Sequence, residues 1–372
     1  MSGNARVYVQ PLTSAPSPQA LDGDAVRLAG GMAWAHAFAV IVTEDGRVTR
    51  RDVATPTSIA ATLARLPTDL MAEGEAQWAN LTRPRAPLAT RGGTLRLDEP
   101  QVMGILNVTP DSFSDGGRHI ADPAEHVRAM LEAGATIIDV GGESTRPGAD
   151  PVWEGDEIAR IVPAVEACRQ LGALISLDTR RAAVMEAGLA AGAHVINDVS
   201  ALYDDAYATQ VVAAAGVPVV LMHAPGAGGG GGLHAGGDYT NILFDVFDWL
   251  RAARDRAVAA GISPDRIMLD PGIGFGKPLA GNLALLNGLA LFHALGHPVL
   301  VGASRKRMIG ALHAEAPAGA RLGGSVALAL AAMQAGCQIV RVHDVWDTVQ
   351  ARNVWRALRD GALSDVSGLP VP

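Results

Sequence analysis

The sequence predicts an α/β chain: a (β/α)8 barrel of the TIM type preceded by a small α+β N-terminal extension. Three observations carry this. From residue 100 onward, short apolar β-type runs alternate with alanine-rich helical runs, the pattern of βα units feeding a parallel sheet. Most helical runs end near a glycine (Gly134, Gly172, Gly192, Gly216, Gly261, Gly296, Gly336), as helix C-termini do. Eight such units fill about 260 residues, the size of one closed barrel. An open doubly wound sheet is the alternative, but it usually carries a Gly-rich nucleotide turn after its first strand, absent here.

Residues 1–97 are weakly patterned. A Pro/Ser-rich start (Pro11, Ser14, Pro16, Ser17, Pro18) leads to an apolar stretch at 32–42 and a polar turn at Glu44-Asp45-Gly46. The amphipathic piece 58–66 predicts a helix, and Arg83-Pro84-Arg85-Ala86-Pro87 reads as a linker. Nothing in this extension indicates its role. The barrel is expected over 98–362, with a tail at 363–372. Its strands are expected at 102–106, 136–140, 173–177, 194–196, 217–222, 266–269, 299–302 and 338–342. Its helices are expected at 123–133, 157–171, 182–191, 207–215, 242–260, 282–295, 321–335 and 346–358.

Of the 372 residues 49% are hydrophobic and 18% charged, with net charge −8, an ordinary globular composition. Without a basic run, nucleic acid is not the expected partner. Cys168 and Cys337 lack a CxxC neighbour and read as buried thiols in a reducing compartment. The longest apolar run, 30–42, is too short to span a bilayer and no basic leader precedes it, so a cytoplasmic protein without a membrane partner is expected. Of 30 Lys plus Arg, Lys277 and Lys306 are the lysines, and both lie in glycine-bounded motifs. They are candidates for positions that need a compact ammonium.

Ligands bind at the carboxyl ends of barrel strands, and every predicted strand delivers a polar group there. In order they bring Asn107; Asp139 and the loop from Gly141 to Gly148; Asp178; Asn197 and Asp198; Met222 and His223; Asp270 and the loop to Lys277; Ser304 to Lys306; and Arg341, His343 and Asp344. Each alone is as well explained by a solvated loop or a cap; the full rim is not. Asp178, Asn197 and Asp270, with little to neutralise them, suit a ligand rich in N–H donors that also bears a carbonyl, such as an aminopyrimidinone. Lys306 can donate to such a ring. Arg341, His343 and Arg146 suit a phosphate or diphosphate. Asn107 offers an oxygen to Mg2+, which keeps several waters and shares phosphate oxygens. No GxSxG elbow or zinc-type spacing is present.

Seven motifs, MGILNVTPDSFSDGG, IDVGGESTRPGA, ISLDTRR, HVINDVSAL, LDPGIGFGK, GASRKRMIG and IVRVHDV, occur in this order. They resemble those of the dihydropteroate synthases, over about residues 100–360 and not over the extension. The resemblance implies joining of 6-hydroxymethyl-7,8-dihydropterin diphosphate to p-aminobenzoate, with Mg2+, in a homodimer of the kind that sulfonamides target. It assigns Asp178, Asn197, Asp270, Lys306, Met222 and Arg341 to the pterin. It assigns Asn107, Arg341, His343 and Arg146 to the diphosphate, with the metal at Asn107. Phe113, Thr145, Arg146, Pro147, Phe275, Ser304 and Arg307 fall to p-aminobenzoate. Asn107, Arg341, His343, Lys306 and Asp178 become the catalytic set.

Two departures stand out. After the fifth strand a second methionine is missing and Gly228 to Gly232 follow, and the serine expected after Ser304-Arg305-Lys306 is Arg307. The alternatives are a related pterin barrel that passes a methyl group from a methyl-folate to a corrinoid protein, and a non-catalytic pterin-binding paralogue.

Overall fold

The computed structural model describes residues 5–14, 25–109, 123–145, 148, 150–227 and 232–361. The extension begins with an antiparallel sheet of β1 (Ala5–Ser14), β2 (Val26–Arg27), β3 (Trp34–Glu44) and β4 (Arg47–Ala54), in which β3 pairs with all three others. The expected polar turn is the β3–β4 hairpin. Asp45 and Gly46 both take positive φ (49° and 77°), the geometry that suits a right-twisted two-residue hairpin. Two helices follow, α1 (Ile59–Leu63) and α2 (Thr68–Thr82). The expected helix at 58–66 is the shorter α1, and α2 was not foreseen.

Helix α2 does two things. Its Gln77 carboxamide reads the β1 backbone: Val9 N–H donates to Oε1 at 2.9 Å and Nε2 donates to the Val7 carbonyl at 2.7 Å. This covers a sheet edge that would otherwise expose unpaired backbone groups. It also packs on the barrel, where Asn80 Nδ2 donates to the Ala294 carbonyl. The supposed linker is pinned: Arg85 is buried and donates to the His293 carbonyl at 2.8 Å. Tyr8 of β1 stacks on Phe244 of the barrel (4.1 Å, 15°) and donates its hydroxyl to Asp248. One hydrophobic core runs through both parts.

A hairpin of β5 (Leu88–Thr90) and β6 (Gly93–Leu95) lies under the barrel. Leu88, Leu95 and Leu97 pack against Met103, Ile137, Val195, Val220, Met268, Leu300 and Ile339, which project inward from barrel strands, and so floor it.

The barrel itself alternates as expected. Its elements are β7 (Gln101–Asn107), α3 (Pro123–Glu132), β8 (Ile137–Gly141), α4 (Glu154–Gln170), β9 (Ile175–Asp178), α5 (Ala182–Ala191), β10 (Val195–Asp198), α6 (Ala208–Ala215), β11 (Val219–Met222), α7 (Ile242–Ala259), β12 (Ile267–Asp270), α8 (Leu279–Asn287), β13 (Leu300–Val301), α9 (Arg307–Leu312), α10 (Leu322–Gln334), β14 (Ile339–Val342) and α11 (Val345–Gly361). The strands form one eight-stranded sheet ordered β12-β11-β10-β9-β8-β7-β14-β13, and the Leu269–Val299 bridge closes it.

The expected helix at 282–295 breaks at Gly288 into α8 and a 3-10 turn, Leu289–Leu295. A Cβ at Gly288 would lie 2.5 Å from Leu243. A side chain there would have to displace Leu243, and glycine weakens the helix at that point. Helix α9, inside the Ser304–Gly310 motif, was not expected. Cys168 and Cys337 are buried free thiols, and no helix among the described residues is long and apolar enough to cross a membrane.

Candidate active site

The strand alternation that puts Ile137 and Ile339 in the barrel floor also puts Asp139, two residues on along β8, and Arg341, two residues on along β14, inside the mouth. They meet. Arg341 Nε donates to Asp139 Oδ2 at 2.6 Å, and Arg341 Nη2 donates to Asp178 Oδ2 at 2.6 Å. Asn197 Nδ2 also donates to Asp139 Oδ2, at 3.1 Å. Burial works against the guanidinium, but the carboxylates of Asp139 and Asp178 more than offset it, so its pKa is raised and it stays charged. Burial pushes Asp178 up to about 7, with Arg341 opposing. The expectation that Asp178 has little to neutralise it is therefore corrected: an arginine from the opposite run of the sheet already holds it. Asp139 was expected at the rim but was given no role in the binding or catalytic sets. The available signal was a carboxylate in the middle of an apolar strand.

Asp270 lies across the mouth. Its Oδ1 accepts the Gly272 N–H at 2.7 Å, and burial pushes the carboxyl up to about 6. Lys306, the residue before α9, holds its ammonium 4.0 Å from the Phe275 ring centre. Burial pulls it down to about 8, with Arg341 adding to the effect. The other lysine uses its compact ammonium on backbone. Lys277 donates to the carbonyls of Gly272 (2.7 Å), Phe275 (3.1 Å) and His223 (3.2 Å), so it ties the β12 loop to the end of β11.

Met222 and Phe275 share a small apolar cluster with Val199, Ala224 and Leu233. Phe275 also stacks on His234 (5.0 Å, 8°), and His234 Nε2 donates to the Thr145 carbonyl at 2.6 Å. His234 thus joins the loops after β8, β11 and β12, and an isolated histidine after a glycine run gave no usable signal.

Ser304 is buried, and its Oγ accepts the His343 N–H at 3.2 Å and lies 3.1 Å from His343 Nδ1. That hydroxyl, expected to meet p-aminobenzoate, is engaged with His343. Arg307 opens α9, and its side chain is 84% exposed, with Glu315 at 3.9 Å. Phe113, Arg146, Pro147 and the glycines from Gly228 to Gly231 lie outside the described residues.

The foot of the loop after β8 is clamped. Glu143 accepts from Arg181 Nη2 (2.8 Å), from Arg180 Nε (3.2 Å) and from the N–H of Val152 (3.2 Å). Arg181 Nη1 also donates to fully buried Glu157 (2.8 Å), which accepts the Thr179 hydroxyl at 2.8 Å. Glu143 therefore bonds residues at both ends of the loop it opens.

Asn107 ends β7 and pairs in register with Gly141. A Cβ at Gly141 would lie 3.5 Å from Asn107 Oδ1, an ordinary contact. Among the described residues no three His, Cys, Asp or Glu side chains form a metal cage. A single neutral oxygen donor fits Mg2+ only if water and phosphate oxygens complete its shell.

Barrel, floor and polar rim define an enzyme of the pterin-binding barrel class: a family model described as pterin binding enzyme matches residues 103–343. The dihydropteroate synthase of Escherichia coli (strain K12) is 45% identical over 273 residues, 73% of this chain and 95% of that protein. Among solved structures, Xanthomonas albilineans dihydropteroate synthase with 4-aminobenzoic acid superimposes with a TM-score of 0.68 at 45% identity, covering 73% of this chain and 97% of that one. The same organism's enzyme in complex with 7,8-dihydropteroate gives 0.65 at 42% identity, covering 73% and 98%. The chain belongs to the dihydropteroate synthase family.

Proposed function

We propose that this chain condenses 6-hydroxymethyl-7,8-dihydropterin diphosphate with p-aminobenzoate, giving 7,8-dihydropteroate and diphosphate, in the cytoplasm. The observation that carries the reading is the buried Asp139–Arg341–Asp178 set beside Asn197, Asp270 and Lys306 on one floored mouth. Carboxylates and an amide face a ligand rich in N–H groups, and cations face an anion.

In this reading Asp178, Asn197 and Asp270 hold the pterin N–H edges, and Lys306 donates to its ring. Met222 packs on its face. Arg341 and His343 hold the diphosphate. Mg2+ bound at Asn107 and to phosphate oxygens would supply charge neutralisation for the leaving group. The bond from the pterin methylene carbon to the diphosphate oxygen breaks, its electron pair leaving with diphosphate. The aniline nitrogen then attacks the methylene carbon and releases one proton. The aniline needs no strong base, so bond breaking is the demanding step, and fixed donors stabilise the departing charge. The electron-rich ring, held by Asp178 and Asp270, stabilises cationic character at the methylene, which gives an SN1-like displacement in a site shielded from water.

A homodimer is part of the proposal. Trp346, Val354 and Leu358 are 66%, 56% and 75% exposed, and their spacing by multiples of four lines one side of α11 with apolar surface.

The test is direct. The purified chain with pterin diphosphate, labelled p-aminobenzoate and Mg2+ should form dihydropteroate and diphosphate one to one. Binding of both substrates without product would instead favour a non-catalytic paralogue.

A further inference from the structure

The two bonds of Arg341 are not equivalent. Asp139 is fully buried and is held from its other side by Asn197, whereas Asp178 lies nearer the rim. Asp139 Oδ2 takes the Arg341 Nε bond, yet its Oδ1 is buried with no hydrogen-bond partner among the described residues. A buried carboxylate oxygen without a donor is costly and asks for a partner. Arginine presents Nε and Nη2 as a two-toothed fork matched to one carboxylate. Here one tooth is on Asp139 and the other on Asp178.

We propose that Asp139 is a positioning residue on which Arg341 pivots. When the N–H edge of the pterin takes Asp178, Nη2 moves to Asp139 Oδ1, the fork closes on one carboxylate, and the remaining guanidinium face turns to the diphosphate. The inference deepens the function proposed above and rests on it. Its consequence is thermodynamic. Pterin binding removes a carboxylate that competes for the guanidinium. Diphosphate binding draws the guanidinium off Asp178 and leaves that carboxylate in need of N–H donors. Each end of the substrate prepares the site of the other, so the two ends bind cooperatively and reciprocally.

The test uses the full chain and two separate probes, 6-hydroxymethylpterin without diphosphate and inorganic diphosphate with Mg2+, followed by calorimetry. In the wild type the diphosphate Kd should fall about tenfold or more at saturating pterin, and the pterin Kd should fall by the same factor at saturating diphosphate. In Asp139→Asn one fork acceptor becomes an N–H donor. That variant should bind pterin within about threefold of wild type, lose the coupling, and drop in kcat by about a hundredfold. A general structural defect would weaken both probes without changing the coupling ratio. If Asp139→Asn does not fold, Arg341→Lys serves instead: lysine has no fork and should also lose the coupling. Wild-type coupling within about twofold of unity, or undiminished coupling in the variant, overturns the proposal. Independent binding of both probes overturns it alone, and failure to bind either overturns it together with the function on which it rests.

Discussion

Ser304 fixes His343 twice, through an accepted backbone N–H and through a contact to ring Nδ1. One hydroxyl therefore sets both the main chain and the imidazole plane of the residue proposed to hold the diphosphate. Ser304→Ala should lower kcat/KM for the pterin substrate about tenfold, the value of one to one and a half kcal/mol, with KM for p-aminobenzoate unchanged. Ser304→Thr should retain most activity. An effect confined to KM for p-aminobenzoate would return Ser304 to the second substrate's site.

Glu143 ties together both ends of the loop after β8. Glu143→Gln keeps the shape and removes the charge that orders Arg180 and Arg181. Its KM for p-aminobenzoate should rise roughly tenfold while the pterin Kd holds, because the loop and not the floor is loosened. A pterin Kd that moves in step would show that the clamp supports the whole mouth.

Asp178 is pushed up to about 7, Asp270 up to about 6 and Lys306 down to about 8, so kcat/KM for the pterin substrate should be bell-shaped with its maximum between about 7 and 8. Below the window first Asp178 and then Asp270 is protonated and stops accepting; above it Lys306 loses its charge. Lys306→Arg should remove the alkaline limb, since arginine does not titrate there. Stability gives an independent sign. Folded Asp270 binds its proton more tightly than its ordinary value of 3.8. Wild-type stability should therefore fall relative to Asp270→Asn as pH rises from about 4 to about 6. Melting curves of the two proteins across that range check it, and a difference that is flat or reversed excludes the assignment.

Gln77 touches nothing at the mouth. Gln77→Leu should cost about 2 kcal/mol by leaving the Val9 N–H and the Val7 carbonyl unpaired, with kcat unaltered. Denaturant unfolding with parallel assays reads both. Unchanged stability would show that water reaches the β1 edge.

The barrel was legible because each strand is an apolar run closed by a polar residue and each helix ends near glycine. The extension was not, and α2 shows why. Its buried positions are Leu70, Gly74, Gln77 and Leu81. Gly74 is there because a Cβ would lie 2.5 Å from Leu63, and Gln77 because it reads a strand edge. Half of the buried face therefore carries no hydrophobic signal. In the site, the residue types at the strand ends were readable but their pairing was not. Arg341 reaches Asp139 across 202 positions of sequence, and only barrel closure sets that distance. The exposure of Arg307 and the contact of Ser304 with His343 depend on where α9 starts, which the motif alone did not reveal.

The Tyr8 hydroxyl and its acceptor Asp248 are separated by 240 residues. A ribosome adding about 5 to 20 residues per second needs on the order of tens of seconds to cover that span. Throughout that interval the β1 aromatic has no Phe244 to stack on, so the contact that seats the extension on the barrel is among the late ones to form during synthesis.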